Sequence, residues 1–160
     1  MTPVWRERGF WIALALSYGV AAVGGAFTDL GPWYRALQQP PWKPPDAWFG
    51  PIWTTIFTLA ALSAWWAWKA AHTRVQRQWV IGLFGVNALL NIAWSALFFT
   101  LKRPDWALLE WGALWLSVVS LLIGLRPLST RAAWLHLPYL AWVTVAGLLN
   151  HANVKLNGPF

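Results

Sequence analysis

The sequence predicts an all-α integral membrane bundle of five transmembrane helices, and three observations lead there. Of 160 residues, 58% are hydrophobic and 11% are charged, whereas a soluble domain carries about 25% charged residues. Trp occupies 16 positions, an excess suited to the two membrane–water interfaces. Charge-free stretches also recur at about 20 residues, the length that carries a helix across about 30 Å of hydrocarbon.

Each span is justified in turn. Residues 9–28 follow Arg6 and Arg8 and are too long for a signal-peptide core of about 7–15 residues, so they read as a retained first helix. Residues 47–68 follow Asp46, with Pro51 in the first turn, where its missing N–H costs nothing. Residues 78–101 follow the polar turn 69–77. Residues 106–125 hold one charge, Glu110, and follow Lys102-Arg103-Pro104-Asp105, with the acid at the helix N-terminus. Residues 132–154 close the set after the turn 126–131. Strands do not fit: barrel segments alternate over about ten residues, whereas these are apolar all round and helices alone satisfy their own backbone in lipid. The whole chain, 1–160, reads as one membrane domain. Lys and Arg are more numerous on the N-terminal side, which places the N-terminus in the cytoplasm if the membrane is a bacterial cell membrane.

Composition also excludes functions. Without Cys there are no disulfides, thiolate metal sites or Cys nucleophiles. The net charge of +7 comes from dispersed single and paired cations, not a basic face, so nucleic acid is not a partner. The ionisable groups inside the spans are Glu110, His136 and His151, too few for paired carboxylates, a metal cluster or a Ser/His/Asp arrangement; no catalytic and no metal residues are assigned. Glu110 lies about 7.5 Å along its helix from Asp105 and is expected to act as an interfacial anchor paired with Lys102 or Arg103.

Recognition must therefore come from aromatic rings and a few amides. Asn87 and Asn91 stand one turn apart, with Trp94, Ser95 and Phe98 on the same face, and spacing alone favours interhelical hydrogen bonds over ligand contacts. Trp142, Ala146, Leu149 and Asn150 form a comparable face on the fifth span. The connection 29–46 reads as a loop that acts as a lid, in which consecutive prolines hold Trp33, Trp42 and Trp48 in place. Trp5, Trp79, Trp106 and Trp134 read as an interfacial belt.

Three blocks carry a resemblance. They are Trp33-Tyr34-x-x-Leu37-x-x-Pro40-x-Trp42-x-Pro44-Pro45-x-x-Trp48-x-Gly50-Pro51-x-Trp53-Thr54, then Asn91-x-x-Trp94-x-x-x-Phe98-Phe99, then Pro138-Tyr139-Leu140-Ala141-Trp142 followed by Leu149-Asn150. Together they resemble the TspO/translocator protein family, the tryptophan-rich sensory proteins also called peripheral-type benzodiazepine receptors. The resemblance implies a five-helix membrane protein, commonly a homodimer. It further implies binding of protoporphyrin IX and haem-related tetrapyrroles, and of other flat hydrophobic ligands, with a role in their transport or regulation. The porphyrin is ligand, and no cofactor is required. By position it implies a pocket of Tyr34, Pro44, Trp53, Phe57, Asn91, Trp94, Ser95, Trp142, Ala146 and Leu149. His151 stands where the sterol pattern of animal members has Tyr, which weakens the expectation of a sterol or lipid partner. Two alternatives stand beside binding: light-dependent porphyrin degradation with Trp53 and Trp142 as oxidisable rings, and a ligand-gated transporter or signalling component. Gly82 and Gly85 offer small residues for a dimer contact.

Overall fold

The structure, a computed structural model, describes residues 4–160. Its α-helices are α1 (Arg8–Phe27), α2 (Pro32–Ala36), α3 (Phe49–Ala70), α4 (Arg74–Ser95), α5 (Pro104–Gly124), α6 (Thr130–Trp134) and α7 (Leu137–Asn157), and the described residues include no strand. Five segments are long and apolar enough to cross a membrane: Arg8–Phe27, Asp46–Ala70, Arg74–Thr100, Pro104–Gly124 and Thr130–Asn157. The chain is a multi-pass membrane bundle.

Several boundaries differ from the charge-free runs for local reasons. Helix α4 begins at Arg74, inside the stretch expected as a polar turn, because Thr73 and Gln76 form a capping box. Thr73 Oγ1 accepts from the Gln76 amide (3.2 Å) and Gln76 Oε1 accepts from the Thr73 amide (3.1 Å). At its other end the helix widens into a π-helical turn, Ala96–Thr100, closed by Leu101 N–H to Ala96 O (2.9 Å). The wider turn lets the adjacent Phe98 and Phe99 both point inward and become buried. In the last span Pro138 lies in the first turn of α7, where α6 gives way to a new helix at His136. The lid contains α2, opened by Pro32 at its first position.

Lipid tails are as apolar as Leu, so close fit and interhelical hydrogen bonds must hold the spans together. Three packed layers result. Ala67, Ala71, Val80, Leu121, Leu125, Ala132 and Ala133 form the layer at the N-terminal side. Ile56, Leu114, Val118, Tyr139, Trp142 and Val143 form the middle. Phe98, Phe99 and Ala107 form the third, beneath Trp33, Tyr34 and Leu37 of the lid. Helices α5 and α7 meet closely at Gly147, where a Cβ would fall 2.0 Å from Trp111 Cε2, and the Trp111 indole donates to Val143 O (2.7 Å). Helix α1 is peripheral. It buries only Gly24 and is tied to α3 by Ser17 Oγ–H to Phe57 O (2.7 Å) and by Tyr18 to Thr58 (2.9 Å).

Trp5, Trp79, Trp106 and Trp134 are exposed, as the belt requires, and Arg103 lies 4.1 Å from the Trp106 ring centroid. Trp42 and Trp48 are exposed too. Of the three lid tryptophans, only Trp33 turns inward, meeting Phe98 edge-on at 6.1 Å.

Candidate ligand-binding site

Beneath the lid, α3, α4 and α7 bring rings and amides to one region. Trp53 stacks on Phe57 one turn along α3 (5.6 Å between centroids, 29° between planes) and meets Tyr139 of α7 edge-on at 6.1 Å. Tyr139 is buried, and its hydroxyl accepts from Asn91 Nδ2 (3.0 Å). Trp142, one turn above Tyr139 and 8% exposed, meets Phe49 edge-on at 5.3 Å. Trp94 bridges toward the lid, stacking on Phe98 at 5.1 Å, and Tyr34 reaches Phe99 at 5.6 Å. Ser95 faces α1, where a Cβ on Gly24 would meet its Oγ at 3.8 Å.

Of the positions implied by resemblance, Trp53, Phe57, Asn91 and Trp142 thus gather around Tyr139, while Tyr34 and Trp94 join the lid layer. Ala146 is half-buried one turn beyond Trp142. Pro44 and the buried Leu149 belong to none of the three packed layers.

The amides do make interhelical bonds, as spacing suggested. Asn87 donates to Ser117 Oγ of α5 (2.8 Å), alongside the Asn91 bond to Tyr139. Buried Ser63 Oγ donates to Ala132 O (2.8 Å), leaving its lone pairs to accept from His136 Nε2–H at 2.9 Å. His136 is thereby a pin between α3 and α7, and its ring also packs on Phe84 (5.5 Å). His151 is exposed.

Glu110 departs from expectation. Arg103 pairs with Asp105, and both Glu110 carboxylate oxygens are buried without a hydrogen-bond partner. The buried positions of α5, Ala107, Leu114, Ser117, Val118 and Leu121, define a stripe that includes Glu110 at helical spacing. Ser117 is level with Asn87 in the antiparallel pair, so Glu110, two turns back, is level with Trp94. Trp142 Nε1 is likewise buried without a partner. An indole donor and a carboxylate acceptor thus stand unsatisfied in an aromatic surrounding, where each orphaned polar group costs about 1–3 kcal/mol.

The lid is clamped over this region. Asn157, at the end of α7, accepts from the Gln38 amide (2.7 Å) and donates to Gln38 O (3.0 Å). Lys43 pairs with Asp46 and lies over the Tyr34 ring at 5.3 Å. Burial disfavours its charge, but hydrogen bonds to Asp46 and Tyr34 outweigh that and raise the Lys43 pKa above its ordinary value.

A cavity of about 560 Å³ adjoins the aromatic region on the side away from the lid, between α1, α3 and α4. Phe57, Asn91 and Tyr139 line it, so they belong both to this cavity and to the packed aromatic region above. This space is not among the features expected from the sequence. Its signal is small residues on three faces: Gly9, Ala13 and Ser17 on α1, Ala60, Ala61 and Ala64 on α3, and Gly85 and Ala88 on α4.

Comparison with known proteins agrees with this architecture. The profile of the TspO/MBR family matches residues 11–155. The tryptophan-rich protein TspO of Chlorobaculum tepidum is 34% identical over 156 residues, covering 91% of this chain and 96% of its own. The tryptophan-rich sensory protein of Cereibacter sphaeroides is 32% identical, covering 94% of this chain and 93% of its own. The human translocator protein is 30% identical, covering 94% and 90%.

Proposed function

Because the chain belongs to the TspO/MBR family, we propose that it is a membrane receptor for tetrapyrroles of the protoporphyrin IX kind, held among the rings and amides beneath the lid. The observation that carries this reading is the pair of unsatisfied polar groups, Trp142 Nε1 and the Glu110 carboxylate, within a ring-walled interior. A flat apolar ligand with both hydrogen-bond acceptors and N–H donors satisfies both groups while its faces lie against Trp53 and Trp142. Asn91 orients it, exchanging its bond to Tyr139 for one to the ligand. Carboxylate substituents point to the lid, where Lys43 and the exposed Arg35 supply positive charge. No further cofactor is part of this reading. Sterol recognition is not either, since exposed His151 replaces the Tyr of the sterol pattern. A homodimer is included; Gly82 on the outer face of α4 permits close approach, as a Cβ there meets no atom within 4 Å.

Titration of the purified protein with protoporphyrin IX, followed by quenching of Trp emission, tests the proposal. Saturable quenching is expected, with affinity falling at least about fivefold in Asn91→Ala and in Trp142→Ala, equivalent to about 1 kcal/mol. Unchanged affinity in both variants refutes the site.

A further inference from the structure

The lid side of the bundle is closed and the lipid side is open. Above the aromatic region, Gln38 is held to Asn157 by two hydrogen bonds, Trp33 packs on Phe98 and Tyr34 on Phe99. Below it, the cavity between α1, α3 and α4 is lined by Ile12, Leu16, Trp68 and Ile81, which are at the same time exposed on the outer surface of the bundle (61%, 68%, 41% and 60%). These are helix faces within the membrane spans, so the cavity opens sideways toward hydrocarbon.

The distribution of polarity along the cavity is directional. Its outer walls are aliphatic and aromatic, and Ser17 has its hydroxyl committed to Phe57 O. Asn87, Asn91 and Tyr139 stand together at the inner end. Gly85 adds a wall with no atom within 4 Å of a Cβ position. The volume, about 560 Å³, falls within the range of about 300–1,000 Å³ that small-molecule sites occupy. The wall formed by α1 is also the most peripheral of the bundle, with Gly24 its single buried residue, although hydrogen bonds from Ser17 and Tyr18 hold it to α3.

From these observations we infer that this cavity is a lipid-facing entry site, which takes a flat hydrophobic ligand directly from the bilayer and passes it to the packed aromatic region beneath the lid through the Asn91–Tyr139 contact. The inference rests on the aromatic region beneath the lid being the ligand site. The occupant is a molecule dissolved in the membrane, with a broad apolar body and hydrogen-bonding groups that meet the two amides and the phenol at the inner end. Tyr139 belongs both to the cavity lining and to the ring cluster around Trp53, and the 3.0 Å bond from Asn91 to its hydroxyl closes the inner end of the cavity toward that cluster. A ligand arriving from below breaks that bond and replaces it, whereas one arriving from above must first part the Gln38–Asn157 clamp.

The absence of native Cys makes the routes separable. The variant Gln38→Cys/Asn157→Cys, closed with a short bis-maleimide, fixes the lid to α7; Ala64→Phe, with Ala60→Phe as a second cavity-filling change, narrows the lower space. Each protein is placed in phosphatidylcholine vesicles, mixed with vesicles carrying protoporphyrin IX, and followed by stopped-flow Trp quenching. The expected result is an association rate within about twofold of wild type in the cross-linked protein, and a rate reduced at least tenfold in the cavity-filled proteins while their equilibrium affinity stays within about threefold. Loss of association on cross-linking overturns the inference whatever the filled variants do, and so does an unchanged rate in folded Ala64→Phe and Ala60→Phe. If neither filled variant folds, the cross-linked protein alone decides. Failure of the wild type to bind at equilibrium refutes the receptor reading instead, which keeps the two failures distinct.

Discussion

Replacing Gly147 by Ala is the sharpest perturbation the packing offers. The added Cβ falls 2.0 Å from Trp111 Cε2, 2.3 Å from Nε1 and 2.4 Å from Cζ2, whereas non-bonded carbons rest at about 3.5–4.0 Å. The indole must therefore retreat by about 1.5 Å, yet it is fixed by its 2.7 Å bond to Val143 O one turn away. Overpacking of this kind costs about 1–3 kcal/mol, and giving up the hydrogen bond adds about 0.5–1.5 kcal/mol. The total, about 1.5–4.5 kcal/mol, corresponds to roughly a tenfold to thousandfold change in the folded-to-unfolded ratio. Unfolding in mixed micelles with a rising fraction of denaturing detergent, read by helical circular dichroism, measures it. Trp111→Leu supplies the control: in that background Gly147→Ala should cost less than about 0.5 kcal/mol, because the atom it strikes is gone. A cost below about 0.5 kcal/mol in the wild-type background, or equal costs in both, refutes the argument that Gly147 is present to admit the indole.

Three further outcomes follow from single contacts. Ser63→Ala leaves the His136 Nε2–H buried without its acceptor and should destabilise the bundle by about 1–2 kcal/mol in the same unfolding measurement; an unchanged midpoint contradicts the pin. Asn157→Ala removes both lid bonds to Gln38 and should speed amide exchange across 37–45 at least several-fold, while exchange in α5 stays unchanged. Glu110→Gln keeps the shape but exchanges a carboxylate for an amide, and should weaken protoporphyrin IX at least about threefold without lowering stability; equal affinity means Glu110 does not touch the ligand.

The spans were legible because a membrane demands about 20 apolar residues in succession, a signal that survives any tertiary arrangement. Their edges were less so. Arg74 and Arg77 interrupted the charge-free run although both are helical, since long cationic side chains reach water from inside a span; the capping box of Thr73 and Gln76 was the better marker. The π-helical turn has no compositional sign beyond two adjacent Phe, and Trp42 and Trp48 carry the same letters as inward-facing rings although they face outward. In the site, the faces of Asn91 and Trp142 were readable from helical spacing. The solitude of Glu110 was not, because it depends on Arg103 choosing Asp105, a short-range competition that spacing leaves open. The cavity was written in small residues on α1, α3 and α4, but small residues mark close packing as often as empty space. Only the placement of α1 at the edge of the bundle decides between them.

Native mass spectrometry of the protein released from the membrane in which it was expressed, with no ligand added, addresses the receptor reading most directly. A bound tetrapyrrole is expected at one per chain in the wild type, retained in Gly82→Ala and lost in Asn91→Ala and Trp142→Ala. A wild-type protein that carries no tetrapyrrole even after the cells are supplied with its precursor, or an adduct that both pocket variants keep, contradicts it.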